Sequence, residues 1–182
     1  MRLKQQDAED FISLISKLDF FTLDLTNVLK KRKNQNITDP NAIRILAREQ
    51  WMKRPQIIEQ FISHYNEKLN PEEVRTLKSW KEKQRSEYWF LYEFPEFGAF
   101  YSPSERKFYG ALALTEPFSD IIPYQPPVVL ETALLPYKNK IVWDGLTLLE
   151  KKEDADFSKD LALLICQKML MENVINEIVL QF

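Results

Sequence analysis

The stretch from Pro127 to Leu149, Pro-Val-Val-Leu-Glu-Thr-Ala-Leu-Leu-Pro-Tyr-Lys-Asn-Lys-Ile-Val-Trp-Asp-Gly-Leu-Thr-Leu-Leu, constrains the fold of this chain more than any other. Two runs rich in Val, Ile, Leu and Trp flank a Pro-Tyr-Lys-Asn-Lys turn, which is the pattern of a β-hairpin buried deeply enough to need little polar alternation. With Tyr137 to Lys140 as a four-residue loop, Pro136 lies opposite Ile141, Leu135 opposite Val142, Ala133 opposite Asp144 and Glu131 opposite Leu146. That register places Glu131 and Asp144 on one face as diagonal neighbours, roughly 5 to 8 Å apart. A slip of one residue sends them to opposite faces.

Two carboxylates so placed can act as a general acid and base or share a cation. The competing reading is structural: Asp144-Gly145 makes a bulge, and each carboxylate bonds backbone or a basic partner such as Lys138 or Lys140. The structural reading is preferred, because two carboxylates alone specify no reaction, so Glu131 and Asp144 stand only as candidate catalytic residues. Lys138, Lys140 and Trp143 of the hairpin, with Tyr109, are the candidate binding residues.

Ahead of the hairpin, Tyr88, Phe90, Tyr92 and Phe94 alternate with Trp89, Leu91 and Glu93, a strand by pattern and composition. Phe97 to Tyr101 and Lys107 to Thr115 read as further strands, joined at Ser102-Pro103-Ser104-Glu105. The chain's three glycines, Gly98, Gly110 and Gly145, all fall in this region, and glycines within strands mark bulges or close backbone approach. A strongly curved sheet or small barrel is the expectation. Glu116 to Pro127 reads as an ordered connection anchored by Phe118, Ile121, Ile122 and Tyr124. Ten Phe, Tyr or Trp residues between Tyr88 and Tyr109 can pack as core, or present an outward face that stacks bases or anchors a protein.

Before Glu87 the period is helical. Asp7 to Lys33 carries Phe11, Leu14, Ile15, Leu18, Phe21, Leu25 and Val28 near the helical spacing, as one long helix or two with a break around Asp19 to Thr22. Asp39-Pro40 and Asn70-Pro71-Glu72-Glu73 are helix starts, and Pro55 ends one helix and opens another. The helices meeting at Lys53-Arg54-Pro55 carry Arg44, Arg48, Lys53 and Arg54 and invite a helix-turn-helix reading, although the turn lacks a glycine. A last helix is expected from Asp156 or Ser158 through Leu170 to about Val174, while the tail after Asn173 fits either helix or strand.

Charge is divided between the halves. Residues 1–85 hold 17 Lys+Arg against 12 Asp+Glu, or +5, and residues 86–182 hold 8 against 15, or −7. The halves can attract one another or leave a basic face for an anionic partner. A single cysteine, Cys166, excludes an intramolecular disulfide and a cysteine cluster, and a reducing, cytoplasmic setting fits. No apolar run is long enough for a membrane span. The only histidine, His64, cannot supply a multi-histidine metal site, and no glycine-rich phosphate loop, Gly-x-Ser-x-Gly elbow or His-Glu-x-x-His pair is present.

Phe108-Tyr109-Gly110-Ala111-Leu112-Ala113-Leu114, Pro117-Phe118 and Thr132 to Leu146 resemble an uncharacterised, mainly bacterial protein family. Its hallmark is a Leu-Leu-Pro-Phe-Lys-Gly-Lys-Ile-Ile-Tyr-Asp-Gly-Leu segment after a short Tyr-Gly-x-Leu-x-Leu strand. The resemblance covers roughly Trp80 to Leu146 and departs at Asn139, where glycine is usual; both residues tolerate positive φ. It implies no activity. The cysteine-rich metal-binding tail of some members is absent from this chain.

The expectation is therefore an α+β protein. An N-terminal helical part over residues 1–85 precedes a mainly antiparallel curved sheet or small barrel of about five strands and a C-terminal helix over 86–182, packed together as one unit. The preferred function is a cytoplasmic, non-enzymatic protein-interaction module without cofactor or membrane attachment, for which homo-oligomerisation is compatible. Nucleic-acid binding through the basic helices, and a carboxylate-dependent hydrolase or metal enzyme, are the alternatives.

Overall fold

Pro-containing start signals set the helices where the sequence places them. A computed structural model describes residues 2–31, 38–83, 85–147 and Leu164. The Asp39 side chain accepts from Asn41 N–H at 2.9 Å and Pro40 opens a helix that runs to Lys53, one residue short of the residue preceding Pro55. Asn70 and Glu73 form a reciprocal capping box that starts the helix Pro71–Trp80. In order, the helices are α1 (Gln5–Thr26), α2 (Val28–Lys31), α3 (Pro40–Lys53), α4 (Gln56–His64), α5 (Pro71–Trp80) and the single-turn α6 (Phe118–Ile121).

The chain divides into two compact units, Gln6–Gln84 and a second formed by Met1–Gln5 with Arg85–Phe182. The helical unit contains Phe11, Leu14, Ile15, Leu18, Trp51, Ile58, Phe61, Leu77 and Trp80, all buried. Trp51 stacks on Trp80 with ring centroids 6.1 Å apart, and Phe11 meets Trp80 edge-on at 5.5 Å. The segment Asp19 to Thr22 does not break α1. Asp19 is buried because Trp51 Nε1 donates to its carboxylate at 3.0 Å and Arg48 Nε at 3.3 Å, while the Thr22 hydroxyl returns to Leu18 O at 2.7 Å. The interruption falls at Asn27, whose φ of 50° ends α1.

Among the described residues the second unit holds six strands: β1 (Ser86–Glu93), β2 (Gly98–Ser102), β3 (Lys107–Ala111), β4 (Val128–Thr132), β5 (Leu134–Tyr137) and β6 (Lys140–Trp143). The protein is α+β, with an antiparallel sheet in the order β3-β2-β1-β4 and a two-stranded sheet β5-β6. The hairpin register is as expected, Pro136 opposite Ile141 and Leu135 opposite Val142, but Tyr137 and Lys140 also pair. The turn therefore contracts to Lys138-Asn139, at φ 46° and 59°, the two-residue I′ geometry whose twist matches the strands.

The first arm of the hairpin is two strands and not one. It breaks at Ala133, so that β4 extends the larger sheet and β5 pairs only with β6. Leu112, just beyond β3, ties the sheets together by accepting from Trp143 N–H and donating to Ile141 O, each at 2.9 Å. The Leu3 N–H donates to Ala113 O at 3.0 Å, bringing the N-terminal segment to the same rim. The described strands do not close into a barrel. A single bridging residue supplies too short a ladder to join β3 to β6 along their length.

One core of this unit lies on Phe90, Phe100, Phe118, Leu130, Leu134 and Trp143. Gly98 is required there: a Cβ would stand 2.6 Å from the Phe118 ring. Among the described residues no helix is long and apolar enough to cross a membrane. The expected C-terminal helix, the tail and Cys166 lie outside the described residues apart from Leu164, which is helical and exposed.

Candidate functional site

The buried polar residues at the root of the hairpin form one network. The Asp144 carboxylate accepts from Leu146 N–H at 3.1 Å and from the Thr132 hydroxyl at 3.2 Å, with Arg85 Nη1 3.9 Å away. Arg85 Nη2 donates to the carbonyl oxygen of Glu131 at 2.7 Å, and the Trp143 indole N–H donates to Thr132 Oγ1 at 2.8 Å. The side chains of Arg85 and Asp144 are 4% and 0% exposed. This is a dry lock at the point where β4 gives way to β5, since a buried charge must be paired and bonded.

The two candidate carboxylates occupy different surroundings. Thr132 is the β4 side chain that reaches Asp144, and successive strand residues point to opposite faces. Glu131 meets the network through its backbone carbonyl and sits half-buried opposite Glu87 of β1. Asp144 is bonded to this chain's own groups on every side described. Arg85, which joins the Glu131 carbonyl to the Asp144 carboxylate, is the member that sequence reasoning missed. Its only signal was a cation immediately before β1.

The other candidates are equally placed by packing. Trp143 is fully buried and stacks on Phe118 with centroids 5.2 Å apart. Lys138 folds its ammonium over the Tyr137 ring, 5.2 Å from the centroid, and Lys140 is half-buried beside the turn. The Tyr109 hydroxyl donates to Glu105, and burial followed by that bond pushes its phenol pKa upward. Its neighbour Tyr88, 6.0 Å away ring to ring, is pushed up to about 12, first by burial and then by the Glu105 charge.

On the helical unit, three of the four basic residues of α3 and its end contact neighbours on α1 or α3, and Arg44 is exposed. Arg48 is buried on Asp19, Lys53 pairs with Glu49 at 3.4 Å, and Arg54 donates to Gln50. His64 is exposed and lies against Tyr65 and Phe21, with centroids 4.7 and 5.6 Å away. Among the described residues no group of three or more His, Cys, Asp or Glu is arranged to hold a metal ion.

A concavity bounded by the sheet unit lies elsewhere. It is a cleft of about 360 Å³ lined by Phe90–Glu93 of β1 on one side and by Ser119 and Ile122–Pro127 on the other. That volume falls within the range of ligand sites, roughly 300 to 1,000 Å³. Its origin is local chemistry. The β1–β4 ladder ends at Phe90 opposite Val128, and the next residues back along the chain are Pro127 and Pro126, which have no N–H to continue it. A register shift between Phe90 and Tyr92 turns β1 at the same point, so that Leu91 is buried and Tyr92 is 44% exposed.

The opposite wall presents Tyr124, 43% exposed, contrary to its expected role as an apolar anchor; Phe118 and Ile122 are the buried anchors instead. Glu93 shapes the cleft floor, its two carboxylate oxygens accepting from Phe118 and Ser119 N–H at 3.0 Å each. Tyr92, Glu93 and Tyr124 are thus the site residues that alternation did not single out. Protein-family models, curated proteins and solved structures give no match to the chain.

Proposed function

We propose that this protein is a non-enzymatic interaction module and that the β1 cleft is its binding surface. The observation carrying this reading is the cleft between Tyr92 and Tyr124. Two amphipathic rings stand exposed on either side of a concavity, and such rings supply large contact area with few rotamers to immobilise. The Asp144 network, by contrast, is buried, with its carboxylate beside Arg85 and bonded to Thr132 and Leu146, an arrangement that stabilises the hairpin. A cytoplasmic setting and membership of the bacterial family belong to the same proposal.

The test compares partners retained by the wild-type chain with those retained by Tyr92→Ala/Tyr124→Ala, followed by reconstitution with purified components. Both side chains are exposed, so the double variant keeps its fold, which circular dichroism checks. Loss of a reconstituted complex in the double variant supports the proposal. A complex of equal affinity with both proteins, or substrate turnover that depends on Asp144, overturns it.

A further inference from the structure

The same cleft carries an inference about what enters it, which rests on the interaction-module reading above. Leu91, Tyr92 and Glu93 extend β1 beyond the last β4 pair, with β2 on one side and the cleft on the other. A strand that ends its ladder against a cleft is a template for an added strand, because an incoming extended backbone can continue the hydrogen bonding that Pro126 and Pro127 cannot.

The charge of the walls selects the occupant further. Residues 90–97 and 116–127 contain Glu93, Glu96, Glu116 and Asp120 and neither a lysine nor an arginine. Glu93, half-buried, is the charged residue of the cleft lining; Glu96, Glu116 and Asp120 are exposed in the adjoining stretches of chain, outside the lining. Glu93 spends one bond per oxygen on Phe118 and Ser119, and a carboxylate has roughly four acceptor positions, so its charge remains available to a cation. The rings of Tyr92 and Tyr124 add cation–π surfaces on either side.

We propose that the cleft binds an extended, basic segment of a partner protein, which pairs its backbone with Leu91–Glu93 and sets Lys or Arg side chains against Glu93 and the two tyrosines. Alternation in such a segment places its apolar residues toward Leu91 and Ile122 and its cations toward Glu93 and the tyrosine rings.

The probes are three fluorescently labelled eight-residue peptides, alternating Arg-Val, Ser-Val and Glu-Val, titrated against the full chain by anisotropy. A fourth, alternating Arg-Pro, keeps the charge, removes every second backbone donor and fixes φ away from the extended-strand value. The Arg-Val peptide binds at least tenfold more tightly than Glu-Val, weakens with salt, and exceeds Arg-Pro. Gln125→Lys, an exposed position in the cleft wall, reduces Arg-Val affinity about tenfold by placing a like charge beside it. Equal affinity for Arg-Val and Glu-Val, undiminished binding of Arg-Pro, indifference to Gln125→Lys, or no binding of Arg-Val overturns the inference. Tyr124-dependent binding of Ser-Val or Glu-Val with none of Arg-Val overturns the basic-segment assignment while leaving the interaction-module reading intact. Peptide binding unaffected by Tyr92→Ala/Tyr124→Ala removes both.

Discussion

Replacing Asp144 by alanine is the most severe single change expected in the sheet unit. The substitution leaves the Arg85 guanidinium, whose side chain is 4% exposed, without its counter-charge and leaves Leu146 N–H without its carboxylate acceptor. At 3.9 Å the Arg85–Asp144 contact is an ion pair without a short hydrogen bond, so the cost comes mainly from stranding a buried cation. Removing one partner of a buried pair costs about 3 to 5 kcal/mol. A domain is stable by only about 5 to 15 kcal/mol. For a chain of this length each kcal/mol lowers Tm by about 2 to 4 °C, giving a fall of roughly 6 to 20 °C. Urea unfolding followed by tryptophan fluorescence reads this directly, because Trp143 donates to Thr132 within the network. Asp144→Asn keeps an acceptor for Leu146 and Thr132 but removes the counter-charge of Arg85 equally, so it retains most of the cost and falls short of Asp144→Ala only by the hydrogen bonds it preserves. A cost for Asp144→Ala below about 1 kcal/mol, the value of an exposed pair, refutes the claim that this network locks the two sheets.

The helical unit has a matching weak point: Asp19→Ala removes the buried carboxylate that accepts from Arg48 and Trp51, and thermal unfolding should show a loss of about 3 to 5 kcal/mol, an unchanged Tm being the contrary result. Gly98→Ala drives a methyl group into the buried Phe118 ring and is expected to cost about 1 to 3 kcal/mol by overpacking, measured by chemical denaturation. In the other direction, Lys138→Asn/Asn139→Gly relieves two side chains at positive φ and should stabilise the hairpin by about 1 kcal/mol. For pH, the Tyr88 phenol rises from 10 to about 12 in the folded state, so the neutral form is favoured there. Its contribution to stability is complete below pH 10 and is lost as pH rises from 10 through 12. An ultraviolet tyrosinate titration should show a late step that Tyr88→Phe removes; a profile identical in both proteins contradicts it.

What the sequence disclosed and what it hid follow from the range of the interactions. Helix starts at Asp39-Pro40 and Asn70-Pro71 were legible because caps are made by residues two or three positions apart. The register of Pro136 with Ile141 was legible because a two-stranded turn transmits its geometry a few residues outward. The break at Ala133 was not, since Val128–Thr132 and Leu134–Tyr137 are both β-prone and only tertiary pairing assigns them to separate sheets. The proposed carboxylate pair assumed that one strand ran through Glu131 without interruption. Arg85 and Asp144 lie 59 positions apart (144 − 85), and nothing local announces their contact. In the cleft, the shift between Phe90 and Tyr92 overrode the alternation that assigned Tyr92 the same face as Tyr88.

Amide chemical-shift mapping of the isotopically labelled full chain with the Arg-Val peptide tests the proposed working surface most directly. The account predicts the largest, saturable shifts at Leu91, Tyr92, Glu93, Tyr124 and Gln125. Shifts gathered instead around Arg44, Lys53 and Arg54 of the helical unit, or none in the cleft at saturating peptide, contradict it.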